Sequence, residues 1–181
     1  WLPTHMTTAL KVSGLVAAVL ATLAFILMMF TPAVTTQGIV GGTYELPGTA
    51  AIFGHNGDGL SAGQKLYFAK DGVIPATWSA IIAWILMMAA VVILLLGVIL
   101  PLFKVKALTK FAGLLNLIVV IALVVAGIFM FIQVPTFLGA AGRSDASGYA
   151  LGAGWIISAI VAIVAGVCAI LPAAVDLASK K

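Results

Sequence analysis

The sequence predicts an all-α integral membrane protein, a four-transmembrane-helix bundle with a small antiparallel β-sheet in the first extracytoplasmic loop. Of its 181 residues, 64% are hydrophobic and 8% are charged, and its mean hydropathy is +1.27. A soluble domain carries roughly 25% charged residues, and a water-soluble fold of this size has no means of burying so much apolar surface. The nine Lys and Arg residues are spread along the chain without forming a basic stripe, which excludes a nucleic-acid-binding module.

Four apolar runs predict the four membrane spans. They cover residues 9–31, 76–103, 107–132 and 149–171. Each reaches the roughly 20 residues that a helix needs to cross about 30 Å of hydrocarbon. Prolines stand at the boundaries of these runs: Pro32, Pro75, Pro101, Pro135 and Pro172. Because proline has no N–H with which to continue a helix, each of them is interpreted as a helix start or stop.

The remaining residues divide into two tails and three loops. These are the N-terminal tail 1–8, the first extracytoplasmic loop 32–75, a short basic cytoplasmic loop 104–106, the second extracytoplasmic loop 133–148 and the C-terminal tail 172–181. Residues 1–5 precede a plausible start at Met6, so they are interpreted as a tag remnant or an upstream extension. The first apolar run is longer than the core of a signal peptide, and an uncleaved span is therefore expected.

The distribution of positive charge predicts the orientation. Six lysines fall on one side of the predicted membrane: Lys11, Lys104, Lys106, Lys110, Lys180 and Lys181. The other side has Lys65, Lys70 and Arg143, spread over two longer loops. Basic residues concentrate in short cytoplasmic loops, so both termini are predicted to lie in the cytoplasm and the protein in the plasma membrane. The chain has no Asn-x-Ser/Thr glycosylation sequon, which favours a bacterial or archaeal membrane.

Turn residues divide the first outer loop into three predicted β-strands. The strands are expected at residues 38–46, 49–55 and 64–70. Pro-Gly, Asn-Gly and Asp-Gly pairs follow them, and such pairs are typical of tight turns between antiparallel strands. Residues 134–138 of the second outer loop are expected to add an edge strand.

His55 and Asp58 form the most chemically distinctive group in this loop, with Glu45 or Asp71 as a further carboxylate. A divalent-metal site and a solvent-facing turn are the two interpretations. The turn is favoured because no second His or Cys stands at ligand spacing, so neither a metal nor a cofactor is expected. The chain also has no nucleophile paired with a base, and we therefore expect no catalytic activity. Cys168, the single cysteine, is interpreted as a packing residue.

Small residues at helical spacing predict close packing of the first and fourth spans. They are Gly14 and Ala18 in the first span and Gly154, Ser158, Ala162 and Gly166 in the fourth. Small side chains let helix backbones approach closely inside a membrane. Asn116 is the one strongly polar side chain within a span. It is interpreted as a hydrogen-bonding link between helices, with a pore-lining role as the alternative.

The predicted topology resembles that of the claudin family. Four spans, cytoplasmic termini, a long first outer loop of antiparallel strands and a shorter second loop are the features shared. Claudins carry a Gly-Leu-Trp signature and two cysteines in the first outer loop. Here that loop has no cysteine, and Trp78 stands at its edge. The resemblance therefore implies an architecture and transfers no functional residue.

Two classes of function are compatible with these observations. The first is a non-catalytic protein that acts in protein–protein interaction, as an accessory subunit of a membrane complex or by self-association through its outer loop. The second is a small channel or transporter formed by oligomerisation. The first is favoured because no ionisable residue lies in the middle of any span. The expected partners are the lipid bilayer and other membrane proteins or further copies of the chain, with no nucleic acid and no soluble small-molecule substrate. The candidate partner surface comprises Tyr44, Glu45, His55, Asp58, Lys65, Tyr67 and Lys70.

Overall fold

A computed structural model describes residues 4–39, 41–102, 112–145 and 148–178. Within them, four helices are long and apolar enough to cross a membrane. The four are α1 (Thr4–Phe30), α4 (Trp78–Leu102), α5 (Ala112–Phe131) and α7 (Ala153–Ala178). The predicted fold class, a helical membrane bundle with a small antiparallel sheet, is confirmed.

The four long helices form a closed ring in which each helix packs against two others. Helix α7 makes its most extensive contacts with α5 and α1, and α4 completes the ring between α5 and α1. The buried faces of α1 and α7 are lined by fully buried alanines: Ala17, Ala21 and Ala24 of α1, and Ala159, Ala162 and Ala165 of α7. Because lipid is as apolar as the helices themselves, small residues that allow close backbone approach stabilise such contacts.

The remaining elements form a cap on one end of the bundle, made of residues 32–39, 41–77, 133–145 and 148–151. Its sheet contains three antiparallel strands in the order β2-β1-β3. The strands are β1 (Pro32–Gln37), β2 (Thr43–Pro47) and β3 (Tyr149–Leu151). Three short helices complete the cap: α2 (Gly48–Phe53), α3 (Ala62–Phe68) and α6 (Gln133–Ala140). The sheet therefore joins the segment between α1 and α4 to the segment that leads into α7, since Thr35 of β1 pairs with Glu45 on one side and with Ala150 on the other.

Three of the four strand predictions are wrong. Residues 49–55 and 64–70 overlap α2 and α3, and residues 134–138 lie within α6. Helix α3 begins with a capping box in which Ser61 accepts from the Gln64 N–H and the Gln64 side chain accepts from the Ser61 N–H. This arrangement satisfies two backbone donors at once and stabilises a helix start. Of the fourth prediction, 38–46, the part from Thr43 onward belongs to β2.

Two span boundaries also differ from the prediction. Residues 149–151, predicted as the start of the fourth span, form β3, and α7 begins at Ala153. Pro172 lies inside α7 and does not end it, because neighbouring helices and local adjustments compensate for the lost N–H in a membrane helix. The predicted basic loop 104–106 and Lys104, Lys106, Lys110, Lys180 and Lys181 lie outside the described residues.

Two glycines let the cap lie directly on the end of α1. The Gly48 N–H donates to the Thr31 carbonyl at 3.1 Å, and the Gly152 N–H donates to the Ala33 carbonyl at 2.9 Å. A Cβ atom on Gly152 would lie 1.9 Å from the Pro32 carbonyl oxygen, and one on Gly48 would lie 2.1 Å from that of Met28. Both positions therefore exclude any side chain, because backbone atoms already occupy the space.

Candidate interaction surface

Tyr44 and Tyr67 hold the β1–β2 hairpin against α3. Their rings are stacked with centroids 5.3 Å apart, and both side chains are half-buried. The Tyr67 hydroxyl accepts a hydrogen bond from the Ile39 N–H at 2.9 Å, at the tip of the hairpin. A Cβ atom on Gly63 would lie 2.0 Å from the Tyr44 ring, so this contact requires glycine in α3. Both tyrosines, predicted as partner residues, thus also connect elements of the cap.

Glu45 and Lys65 lie on neighbouring elements and are both exposed. The Gln64 side-chain amide donates to the Glu45 carbonyl at 3.4 Å, which places the start of α3 against β2. The two side chains of opposite charge therefore belong to one region of the cap surface. Because the Glu45 and Lys65 side chains are both exposed to solvent, a partner can reach them.

His55 and Asp58 belong to a turn whose polar groups bond to its own backbone. The His55 Nδ1 accepts from the Gly57 N–H at 3.0 Å, and the Asn56 side-chain oxygen accepts from the Asp58 N–H at 3.0 Å. Such local bonds are the usual reason for Asn and Asp in turns. Among the described residues no group of three or more His, Cys, Asp or Glu side chains is arranged to hold a metal ion. The geometry is that of a turn, with Asp58 exposed.

Arg143, for which the sequence predicts only a position in a loop, joins the segment between α6 and β3 to α3. Its Nη2 donates to the Leu66 carbonyl at 2.7 Å and to the Ala69 carbonyl at 3.0 Å. The last carbonyls of a helix have no partner within the helix, and a guanidinium with several donors is suited to bind two of them. The sequence indicates that the C-terminal end of a helix such as α3 needs hydrogen-bond donors. It does not indicate that Arg143, far away in the chain, supplies them. Lys70, the remaining predicted partner residue, is exposed just beyond this end of α3.

Tyr149 forms a second link to the same helix. Its hydroxyl donates to the Tyr67 carbonyl, and its ring packs edge-on against Phe68 with centroids 6.1 Å apart. Partial burial raises the pKa of the Tyr149 phenol above its usual value of 10.0, while the nearby Arg143 charge opposes this rise. The phenol is therefore protonated at neutral pH, as its hydrogen bond to a carbonyl requires.

Two large apolar side chains are exposed in the same region. Ile39, at the hairpin tip, is 90% exposed and Leu66, on α3, is 62% exposed. The Ile39 N–H bonds to the hydroxyl of Tyr67, the residue that follows Leu66 in α3. Ile39, Leu66 and the Glu45–Lys65 region therefore lie on adjacent elements of the cap. We refer to Ile39, Glu45, Lys65 and Leu66 as the hairpin–α3 surface.

The predicted packing residues differ in their surroundings. Ser158 is fully buried and its hydroxyl donates to the Ala24 carbonyl of α1 at 2.6 Å. A Cβ atom on Gly154 would lie 2.3 Å from Thr31, and one on Gly166 would lie 3.1 Å from Val124 of α5, whereas one on Gly14 would meet nothing within 4 Å. The others are buried or half-buried: Ala18, Asn116 and Ala162. Cys168 is half-buried, and the Ser13 hydroxyl donates to its carbonyl.

No protein-family model matches the chain, and a comparison with curated proteins found no match. The geometry of the cap and the bundle is therefore the basis for a functional proposal.

Proposed function

We propose that this is a non-catalytic membrane protein that acts through protein–protein interaction, as an accessory subunit of a membrane complex or by self-association through its cap. The hairpin–α3 surface is the proposed recognition site. The observation that supports it is the exposure of Ile39 and Leu66 beside two opposite charges, Glu45 and Lys65. Interface centres combine exposed apolar anchors with a polar rim, and this surface combines the same two features.

The composition of the spans favours interaction over transport. Helices α4 and α5 contain no ionisable residue, and α1 and α7 contain them only at positions remote from the cap, namely His5, Lys11 and Asp176. Ion paths and proton relays use ionisable groups at membrane depth. The buried helix faces described here are lined mainly by alanine and larger apolar side chains, which form no continuous polar path for a solute.

An exchange of surface side chains tests the recognition site. If the partner is another protein, the double variant Ile39→Ser/Leu66→Ser should no longer co-purify with it in mild detergent. If the partner is a second copy of the chain, light scattering should show that the variant no longer self-associates. Its thermal unfolding should stay unchanged, because both side chains are exposed. Asp58→Asn is the matched control, an exposed cap residue outside the hairpin–α3 surface. If the double variant keeps every partner while a substitution in α7 releases them, recognition occurs within the membrane and the proposal is wrong.

We also propose that the cap faces the outside of the cell and that both termini are cytoplasmic. The support is the asymmetry of lysines in the sequence. In a Cys168→Ser background, Thr43→Cys and Ser144→Cys should react with an impermeant thiol reagent in intact cells, because both positions are exposed in the cap. Thr109→Cys, between Lys106 and Lys110 at the predicted cytoplasmic end of the third span, should react only after lysis. The reverse pattern would invert the orientation.

A further inference from the structure

Helix α2 lies against the cap-side ends of α1 and α4. The Phe53 ring packs edge-on against the Trp84 ring of α4, with centroids 5.2 Å apart. Trp84 is six residues beyond Trp78, the first residue of the α4 span. Helix side chains tilt toward the N-terminus of their helix, which for α4 is the cap-side end. Phe53 therefore lies beside the first turns of the span, close to the end that carries the cap.

The same tryptophan also contacts α1. Its ring lies 6.4 Å from the Phe25 ring, and its indole Nε1 donates to the Met29 sulfur at 3.1 Å. Phe53 thus covers the line along which α1 and α4 meet. Its side chain is nevertheless 57% exposed, and apolar residues of the two neighbouring spans are exposed at the same end of the bundle: Ile26 and Phe30 on α1, and Ile82 and Ile85 on α4. Phe53 therefore adds an exposed apolar side chain to an end of the bundle whose span residues are themselves apolar and exposed.

Backbone groups at both ends of α2 bond to protein. The Gly48 N–H bonds to the Thr31 carbonyl, the Gly54 N–H to the Ala50 carbonyl, and the Ala51 carbonyl accepts from the Thr77 N–H at 2.8 Å. Non-spanning backbone at membrane depth is tolerated only where its polar groups are satisfied by protein. Four of its six residues are buried, so little beyond Thr49 and Phe53 faces outward.

We propose that α2 is inserted into the bilayer and that Phe53 contacts lipid acyl chains just below the headgroups of the cap-side leaflet. The partner of this surface is the lipid itself. Exposed aromatic residues at the same end of the neighbouring spans mark the same level, because aromatic side chains favour the membrane–water interface: Phe30, Trp78 and Phe131. The contact fixes the height of the cap relative to the membrane, and it is independent of any protein partner of the hairpin–α3 surface.

Spin labels can measure this depth in reconstituted vesicles of phosphatidylcholine. In a Cys168→Ser background, a nitroxide is attached to Phe53→Cys, to Ile82→Cys as the lipid-facing control, and to Asp58→Cys as the aqueous control, an exposed position outside the hairpin–α3 surface. Collision with molecular oxygen, which concentrates in lipid, is compared with collision with a water-soluble nickel chelate. The Phe53 label should give a depth parameter closer to that of the Ile82 label. A value closer to that of the Asp58 label would overturn the proposal.

Photolabelling provides the same test with the unmodified protein. A hydrophobic diazirine dissolved in the bilayer forms a carbene on irradiation, and the carbene inserts into side chains that contact lipid. Mass spectrometry should find label in the peptide containing residues 48–53 and none in residues 41–46 of the same hairpin segment. Absence of label from residues 48–53, with the span residues labelled, would show that α2 lies in water. Neither measurement depends on whether the recognition proposal is right.

Discussion

The bundle and the cap are stabilised in opposite ways. In the bundle, each helix satisfies its own backbone, and the contacts between α1 and α7 are made by alanine, glycine and serine. In the cap, side chains from distant segments bind backbone groups: Arg143 and Tyr149 both bond to carbonyls of the 66–69 segment, and Gln64 bonds to the Glu45 carbonyl. We therefore expect added volume to have its largest effect in the bundle and at its junction with the cap, and lost hydrogen bonds to have theirs around α3.

This difference has a physical origin in the solvent. Inside a bilayer an unpaired backbone group costs several kcal/mol, so each spanning segment satisfies its own backbone as a helix and specificity comes from how closely the helices approach. Around α3, on the exposed side of the cap, water competes for hydrogen bonds, and a net gain of about 1 kcal/mol for each bond is typical. Four substitutions, in decreasing order of expected effect, test whether the two regions differ in this way.

The largest effect is expected from Ser158→Leu in the bundle. The serine is fully buried between α7 and α1, and overpacking at such a site costs up to about 3 kcal/mol. Thermal and denaturant unfolding in detergent measures the loss. Ile157→Leu, one residue away but 53% exposed, is the control and should change the unfolding free energy by less than about 0.5 kcal/mol. Equal unfolding free energies for the two variants would show that added volume does not destabilise the bundle.

Gly152→Ala tests the junction between the two regions. Its Cβ would lie 1.9 Å from the Pro32 carbonyl oxygen, so β1 and the start of α7 must move apart at a cost of about 2 kcal/mol. Gly97→Ala in α4 has open space around it and should be neutral or stabilising by about 0.5–1 kcal/mol, because alanine favours the helix. The same unfolding assay compares them. A junction that tolerates alanine as well as position 97 does would mean that the cap is not seated against α1.

In the cap, Arg143→Leu removes two bonds to the end of α3. Water can replace part of this loss, so we expect about 1–2 kcal/mol in local stability. Hydrogen exchange of the amides in residues 62–70 should become faster while exchange in α4 and α5 stays unchanged. Lys70→Leu is the matched control for loss of a positive charge nearby. If exchange rises equally in both variants, charge and not the two hydrogen bonds stabilises this helix end.

Tyr149→Phe should have the smallest effect, about 1 kcal/mol, through loss of one hydrogen bond to the Tyr67 carbonyl. The pH dependence has a defined sign. The folded protein holds the phenolic proton more tightly than the unfolded chain, since the Tyr149 pKa is raised above 10.0. This contribution is complete below about pH 10 and is lost as the pH rises through the folded pKa. Wild type should thus lose stability at alkaline pH by a component that Tyr149→Phe lacks; identical pH profiles would contradict this.

The two regions also differed in how far the sequence predicts them. The four spans follow from apolar length alone, because a continuous apolar segment of about 20 residues can satisfy its own backbone in lipid only as a helix. In the cap, the Asn-Gly and Asp-Gly turns are present, with positive φ at Gly57 and Gly72, yet the segments before them, α2 and α3, are helices. Turn residues mark where the chain reverses and leave open which element precedes the reversal.

A local signal for α3 was present and was missed. Ser61 and Gln64 stand at capping-box spacing, which outweighs the apolar alternation of the residues that follow. No comparable signal exists for α2, whose helix is stabilised by burial against α1 and α4. The candidate partner residues were predicted from the polar and aromatic character of their side chains. That Tyr44 and Tyr67 stack on each other could not be predicted in this way, because it depends on how two segments approach in three dimensions.

The pairing of β1 with β3 has a consequence for biosynthesis. Val34 pairs with Leu151, and α1 packs chiefly against α7, the last of these four helices to be made. At about 5–20 residues per second, the ribosome needs on the order of ten seconds to add the intervening segment. During that time α1 is in the membrane without its main partner, and one edge of β1 has no strand beside it. Assembly of the bundle and closure of the sheet are therefore completed together, after the fourth span has left the ribosome, and a chain that stops before α7 should be recognised as unfinished by the membrane's quality-control proteases.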